Sequence, residues 1–325
     1  MKISIITVCK DAEKTLEKAI QSVIDQSYQN VEYIIVDGQS SDRTIEIINQ
    51  YQDKITKYVS EPDTGIYNAM NKGLNLVTGD FVYFLNSDDY LVDCKVVEDV
   101  VQFVHQHPDA EVVYGDLEVR HPNGQVNVFT PPPIDEIAEF MICGSMPHQA
   151  TFAHVRLFQQ FGYFDEQYKL AADKAWYLEL LRHQKITWYR MARTIASYYN
   201  GGRGTIDFRA SRNEFWDAQN NAKFYQTQEW YEKRIKKFQS IIIENEIQLR
   251  FYSTTQNDQL EEKQKKIQQL RSRLKEMRVK QKKMNEIQEK LQLTTAELEA
   301  IKASKFWKLR SLWVRFKRTL GLKAE

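Results

Sequence analysis

The sequence predicts an α/β protein with a mostly parallel, Rossmann-like sheet, followed by a long C-terminal helical extension. Three observations predict it. Short β-branched or aromatic runs, Ile3 to Cys9, Val31 to Val36 and Phe81 to Phe84, alternate with segments whose apolar residues keep helical spacing. The run at Phe81 turns abruptly polar and closes on Asn86, Asp88 and Asp89, which sets acid groups at a strand's carboxyl end, where open α/β sheets bind ligands. Glycine and proline then vanish between Gln226 and Leu320, so nothing there interrupts a helix.

Taken in order, Ile3 to Cys9 reads as a β-branched strand, and the Phe81 run as a strand buried on both faces. Asp11 is placed to cap a helix carrying Leu16, Ala19, Ile20, Val23 and Ile24. Val31 to Val36 runs into Asp37-Gly38, and Ser40 or Ser41 is placed to cap a helix reaching Tyr51. A strand near Tyr58 to Ser60, a helix from Thr64 to Lys72 closed by Gly73, and the Phe81 strand continue the alternation. A helix over Lys95 to His105 and a strand over Glu111 to Tyr114 follow. Leu117 to Arg120 and Val126 to Phe129 flank Pro122-Asn123-Gly124, which signals a hairpin, and Pro131 to Pro133 mark a loop. Helices over Val155 to Phe161 and Ala172 to His183, with strands over Ile186 to Tyr189 and Thr194 to Tyr198, complete a globular part of residues 1–225.

Residues 226–301 form a helical or coiled-coil region. Ile267, Leu270, Leu274, Met277, Gln281 and Met284 alternate steps of three and four. After a slip, Ile287, Leu291, Thr294, Leu298 and Ile301 resume the pattern. A coiled coil that joins copies of the chain and a long solvated helix both fit. Over 302–325, Phe306, Leu309, Trp313, Phe316 and Leu320 make one apolar stripe among Lys302, Lys305, Lys308, Arg310, Arg315, Lys317 and Arg318. This basic amphipathic helix suits an anionic membrane surface; packing on a protein surface and, more weakly, nucleic-acid binding are the alternatives.

Composition narrows the class. A content of 42% hydrophobic residues supports a core, and 45 basic against 44 acidic residues exclude a strongly charged protein overall. Cys9, Cys94 and Cys143 are too scattered for a disulfide framework or a zinc site, which points to a reducing compartment. Met1-Lys2 leads straight into the first strand, and no run approaches the ~20 apolar residues of a membrane span. A cytoplasmic protein, peripheral at the inner face of the cell membrane, is expected.

Asp88 and Asp89 carry the chemistry. Two carboxylates ~4 Å apart repel by about 4 kcal/mol at an effective dielectric near 20, so a Lys, an Arg or a divalent cation must offset them. Oxygen donors of this kind suit Mg²⁺ or Mn²⁺ completed by substrate phosphates; capping of the next helix is the plain alternative. Asp37 is a further strand-end acid, suited to a nucleoside. No G-x-G-x-x-G follows the first strand and no P-loop occurs, so a diphosphate held by a metal fits better than one held by a glycine loop.

Several segments together resemble the family 2 glycosyltransferases of the GT-A fold. They are Ile-Ile-Thr-Val-Cys-Lys-Asp-Ala (5–12), Val-Asp-Gly-Gln-Ser-Ser-Asp-Arg-Thr (36–44), Glu-Pro-Asp-Thr-Gly-Ile-Tyr-Asn-Ala-Met-Asn-Lys-Gly (61–73), Thr-Gly-Asp (78–80), Phe-Leu-Asn-Ser-Asp-Asp (84–89), Pro-His-Gln-Ala-Thr-Phe (147–152), Gly-Tyr-Phe-Asp-Glu (162–166) and Ala-Ala-Asp (171–173). The resemblance covers about residues 1 to 205. It implies an inverting sugar transfer from a nucleotide-sugar donor, a UDP-sugar being the expected one, to a glycan or glycolipid acceptor. It makes Asp88 the metal contact for Mn²⁺ or Mg²⁺, with Asn86 in place of the usual first acid. It puts Thr7, Asp37, Asp63, Lys72, Asn86, Asp89 and His148 at the donor, with Lys72 able to meet phosphate, and makes Asp173 the base. Read without it, Asp173 is equally the cap of its helix and His148 a core histidine. Lys174 stands where an aromatic is common and is able to lower the basicity of Asp173. Gly201-Gly202-Arg203-Gly204 reads as a loop able to close over phosphates. Two rivals stay open: a nucleotidyltransferase, disfavoured by Lys10-Asp11-Ala12-Glu13 after the first strand, and a degenerate scaffold acting through its coiled coil and basic tail.

Overall fold

The computed structural model describes residues 1–202, 208–251 and 257–303, and the chain divides into two units, Met1–Thr227 and Gln228–Glu325. In the first unit the described strands make one nine-stranded sheet. Its leading part is parallel throughout, in the order β3 (Lys57–Ser60), β2 (Val31–Asp37), β1 (Ile3–Cys9) and β4 (Phe81–Phe84). Every residue of β1 and β4 is buried, as a strand covered by helices on both faces requires. Helices α1 (Leu16–Ile24), α2 (Thr44–Gln50) and α3 (Ile66–Leu74) supply the crossovers.

Beyond β4 the pairing changes. β8 (Thr151–His154) runs antiparallel to both β4 and β6 (Val112–Arg120), and β9 (Trp188–Tyr199) runs parallel to β6. β7 (Val126–Phe129) closes the expected hairpin on β6, with Arg120 opposite Val126, and the short β5 (Tyr90–Leu91) lies on β9. α4 (Val96–Gln106), α5 (Ile134–Phe140), α6 (Val155–Phe161), α7 (Ala172–Leu181) and α8 (Phe208–Asn221) complete the unit.

Local expectations fail at identifiable places. Asp11 does not cap α1. Its φ of 49° turns the chain, and its carboxylate accepts from the backbone N–H and hydroxyl of Ser41, locking the β1–α1 loop to the β2–α2 loop. Neither Ser40 nor Ser41 caps α2; Asp42 accepts from the Thr44 N–H instead. Gly73 does not end α3 but lies inside it, where a Cβ would stand 2.6 Å from Ile6 of β1. The four segments read in two pairs at 111–120 and 186–198 are two long strands, β6 and β9, and their pairing absorbs a register shift beside Gly115. Helix α5, directly after the three prolines, is unanticipated; Pro133, with φ of −63°, sits at its cap position.

The second unit contains α9 (Gln228–Phe251) and α10 (Asn257–Ala303), which pack together, so the expected single helical stretch is two helices. Along α10, Ile267, Leu270, Leu274 and Met277 are buried, whereas Ile287, Leu291 and Leu298 are exposed. No described helix is long and apolar enough to cross a membrane. The basic stripe expected over 302–325 lies outside the described residues from position 304 onward.

Candidate active site

The site forms where β4 ends and the parallel and antiparallel parts of the sheet meet. Leu85 still bonds to β1 through its N–H, and the chain then turns, Asp89 N–H donating to the Asn86 carbonyl at 3.1 Å. This turn presents Asn86, Ser87 and Asp88 and buries Asp89. No helix is capped by Asp88: α4 begins much later, at Val96, behind Lys95. Burial pushes the Asp88 carboxyl above its usual range, with the charge of Arg120 drawing it partly back. Asp89 is pushed much further, by burial first and by the charge of Asp88 second.

The positive group that offsets these acids is Arg120, the last residue of β6, which sequence reasoning missed. Its Nη2 donates to the Asp88 carbonyl at 2.7 Å and its Nε to the Ser197 hydroxyl at 2.8 Å. The guanidinium lies over the Tyr90 ring at 4.6 Å and the Tyr199 ring at 5.6 Å. The tip of β9 is tied down in turn, because Tyr199 N–H donates to Asp89 Oδ1 at 2.8 Å. Gly202 then passes so near Asp88 that a Cβ would stand 3.0 Å from its Oδ2. That places the start of the glycine loop at the candidate metal contact; Arg203 and Gly204 lie outside the described residues.

Asp173, the candidate base, is at the second position of α7 and does not cap it; the cap position is Ala171. Its Oδ1 accepts from the Tyr67 hydroxyl of α3 at 2.7 Å, and its Oδ2 lies 3.3 Å from His148 Nδ1. Burial works to raise this carboxyl, but the hydrogen bond with His148, then that from the Tyr67 hydroxyl, outweigh it and hold Asp173 below its ordinary range. Lys174, expected to perturb it, points elsewhere: its Nζ donates to the Gly144 carbonyl at 2.6 Å and lies over the Phe215 ring. His148 sits on the 3-10 turn His148–Ala150 leading into β8, and its Nε2 lies 3.2 Å from Asn86 Nδ2. Asn86, His148, Asp173 and Tyr67 are thus one chain of contacts.

The remaining donor-side candidates shape the loops after β1 and β2. Thr7 is buried and its hydroxyl accepts from Tyr33 at 3.1 Å. Asp37, also buried, accepts from both the N–H and the hydroxyl of Ser40 and from Ser60. These two side chains, like the buried Asp89, therefore build the walls of the site and do not present open polar groups. Asp63 stands over Gly38, where no Cβ fits, with the Lys10 chain beside it. Lys72 Nζ donates to the Pro62 carbonyl at 2.6 Å and pairs with the half-exposed Glu61 carboxylate at 2.9 Å.

Residues 4–158 match the family model described as glycosyl transferase family 2. The domain belongs to that family. A PGL/p-HBAD biosynthesis glycosyltransferase of Mycobacterium bovis is 27% identical over 202 residues, spanning 61% of this chain and 77% of the relative. A glycosyltransferase of Haemophilus influenzae is 37% identical over 108 residues, 32% of this chain and 43% of that protein. Among solved structures, residues 1–349 of S. aureus TarS in complex with UDP-GlcNAc align with a TM-score of 0.57 at 19% identity, covering 74% of this chain and 73% of that one. The mannosyltransferase PcManGT of Pyrobaculum calidifontis, in complex with GDP-Man and Mn²⁺, aligns with a TM-score of 0.53 at 16% identity, covering 68% and 64%. The structural likenesses establish the GT-A-like fold, and the family 2 domain makes the chain a glycosyltransferase. The match spans β1 to α6 and stops short of Asp173.

Proposed function

We propose that the protein is a metal-dependent, inverting glycosyltransferase that moves a sugar from a UDP-sugar to a hydroxyl of a cell-surface polysaccharide or glycolipid. The observation that carries this reading is the contact chain from Asn86 through His148 to Asp173, which brings an acceptor-activating carboxylate to the loop bearing Asp88. The acceptor oxygen attacks the anomeric carbon, the bond from that carbon to the diphosphate oxygen breaks, and the hydroxyl proton passes to Asp173. Attack from the face opposite the leaving group inverts the configuration.

The residues at the β4 end fit a divalent cation. Asn86 Oδ1 and Asp89 Oδ2 are buried without a hydrogen-bond partner, and Asp88 stays raised by burial although Arg120 lies near, its Nη2 spent on the Asp88 carbonyl, so the loop offers oxygens to a further cation. Among the described residues no three His, Cys, Asp or Glu side chains cluster as a ready-made cage. Asp88 would therefore hold Mn²⁺ or Mg²⁺ together with donor phosphate oxygens, the usual arrangement for these ions. The ion supplies positive charge to the departing diphosphate. Thr7, Asp37 and Asp63 shape the nucleoside pocket.

The test is thermal stabilisation of the protein by UDP, GDP, CDP and dTDP, each with and without Mn²⁺. Stabilisation by UDP that needs Mn²⁺ and disappears in Asp88→Ala is the expected result. Stabilisation untouched by that substitution would remove Asp88 from the site, and a response to GDP alone would replace the donor. Two roles complete the proposal: α10 joins copies of the chain through its exposed apolar stripe, and residues 302–325 hold the enzyme at the inner face of the cell membrane. Sedimentation of the full chain at monomer mass would overturn the first. Failure to float with anionic vesicles would overturn the second.

A further inference from the structure

We infer that His148 is a positioning residue that fixes the base to the donor loop, and that position 86 is an amide because the far side of this imidazole needs a hydrogen-bond donor. The inference rests on Asp173 being the base, and the same measurements separate the two. A neutral imidazole has one N–H and one lone pair. Asp173 is an acceptor only, so the nitrogen facing it, Nδ1, carries the proton. Nε2 is left with its lone pair and faces Asn86 Nδ2 at 3.2 Å, which donates. A carboxylate at position 86 could not donate there, and would leave two acceptors facing each other unless the ring gained a second proton. The tautomer is thus set from both ends, as is usual for histidines held by an orienting partner.

The geometry gives this chain of contacts a use. Tyr67 occupies Oδ1 of Asp173 and His148 occupies Oδ2, so both oxygens are held and the orientation of the carboxylate is fixed. The residues come from four places: α3, the turn after β4, the 3-10 turn before β8, and α7. With side chains 15% and 11% exposed, His148 and Asp173 form a nearly dry pair, which strengthens the hydrogen bond between them. Because the far end of the chain is Asn86, two residues before Asp88, a shift of the donor loop reaches the base through two hydrogen bonds. This explains why the first acid of the resembling motif is absent here without loss of the site.

Two measurements test it on the full-length protein. In proton–nitrogen correlation spectra of the imidazoles, of which there are six, the signal lost in His148→Gln should show a protonated Nδ1 and an unprotonated Nε2. A protonated Nε2 with a bare Nδ1 would overturn the inference, and needs no substrate to be seen. Turnover is then compared using whichever of UDP-GlcNAc, UDP-glucose and GDP-mannose the wild type hydrolyses with Mn²⁺. His148→Asn keeps an amide near the Nδ1 position and should hold kcat within about tenfold, whereas His148→Gln, whose amide lies near Nε2, should lose about a hundredfold or more, with donor KM and nucleotide-induced stabilisation within about twofold in both. Equal losses in the two variants, or a loss confined to KM, would make His148 a packing or donor contact and overturn the proposal. Undiminished turnover in Asp173→Asn would instead overturn the reading of the base on which it rests.

Discussion

The parallel part of the sheet and the part beyond β4 are built by different physics. In β3-β2-β1-β4 the strands are joined by helical crossovers and pair in parallel, and their charged group of consequence is satisfied inside. Glu32 of β2 shows this. It accepts from Ser4, from Thr78 twice and from Lys57, and those bonds overcome burial to hold its carboxyl at about 2. Beyond β4, strands are inserted out of order, β8 between β4 and β6, and the ties are side chains reaching across the sheet, such as Arg120, Arg190 and Arg193. The first part ends at the β4 turn that bears Asp88; the second brings Asp173 and His148 to that turn.

The contrast is strongest at two glycines. A Cβ on Gly115 of β6 would meet the backbone carbonyl of Arg193 and, at 2.7 Å, the side chain of Ile195, and a carbonyl in a strand pair cannot swing aside. Gly115→Val should cost about 3 kcal/mol or more, read from the denaturant midpoint, and an unchanged midpoint would mean that the β6–β9 pairing yields. Glu32→Gln in the parallel part should cost about 3 kcal/mol near neutral pH, since the shift from 4.5 to about 2 is worth that much. Its folded pKa is depressed, so the stabilisation is complete above pH 4.5 and is lost as pH falls towards 2. The variant should therefore show a flatter acid limb, and an identical limb would assign acid unfolding to other carboxylates.

Gly73→Ala tests the parallel part more gently. The obstacle is the Ile6 side chain at 2.6 Å, which can adjust, so about 1 to 2 kcal/mol is expected, less than at Gly115. A loss larger than that of Gly115→Val would reverse the comparison. The smallest effect belongs to Arg193→Ala. Its pairs with Asp93 at 2.7 Å and Asp99 at 2.9 Å are half exposed and should contribute roughly 0.5 to 1 kcal/mol, declining with salt. No salt dependence would show that packing, not charge, sets its contribution.

The same contrast governs what the sequence made legible. β1, β2 and β4 are dominated by aliphatic, β-branched and aromatic residues because both faces are covered, and their helices repeat at 3.6 residues, so pattern alone finds them. β8 escapes because Thr151 to His154 is four residues long, bounded by a 3-10 turn and a helix, with no glycine or proline to mark its end. β9 reads as two strands because the polar stretch at Arg190 to Arg193 breaks the alternation where the register shifts. The acids at the β4 end were visible as a change from apolar to polar. Arg120 and Tyr67 were not: Tyr67 meets Asp173 across 106 residues, and an arginine closing a hairpin strand looks like any exposed edge charge. The seam of α10 was legible as spacing, but not the fact that its first part is buried and its second exposed.

In the proposed mechanism the parallel part of the sheet binds the nucleotide and Asp173, beyond it, takes the acceptor proton. Turnover of the sugar nucleotide by Asp173→Asn, measured beside its stabilisation by UDP with Mn²⁺, tests this most directly. A fall of about a hundredfold to ten-thousandfold in kcat with undiminished UDP stabilisation is predicted. Wild-type turnover in that variant would contradict the account.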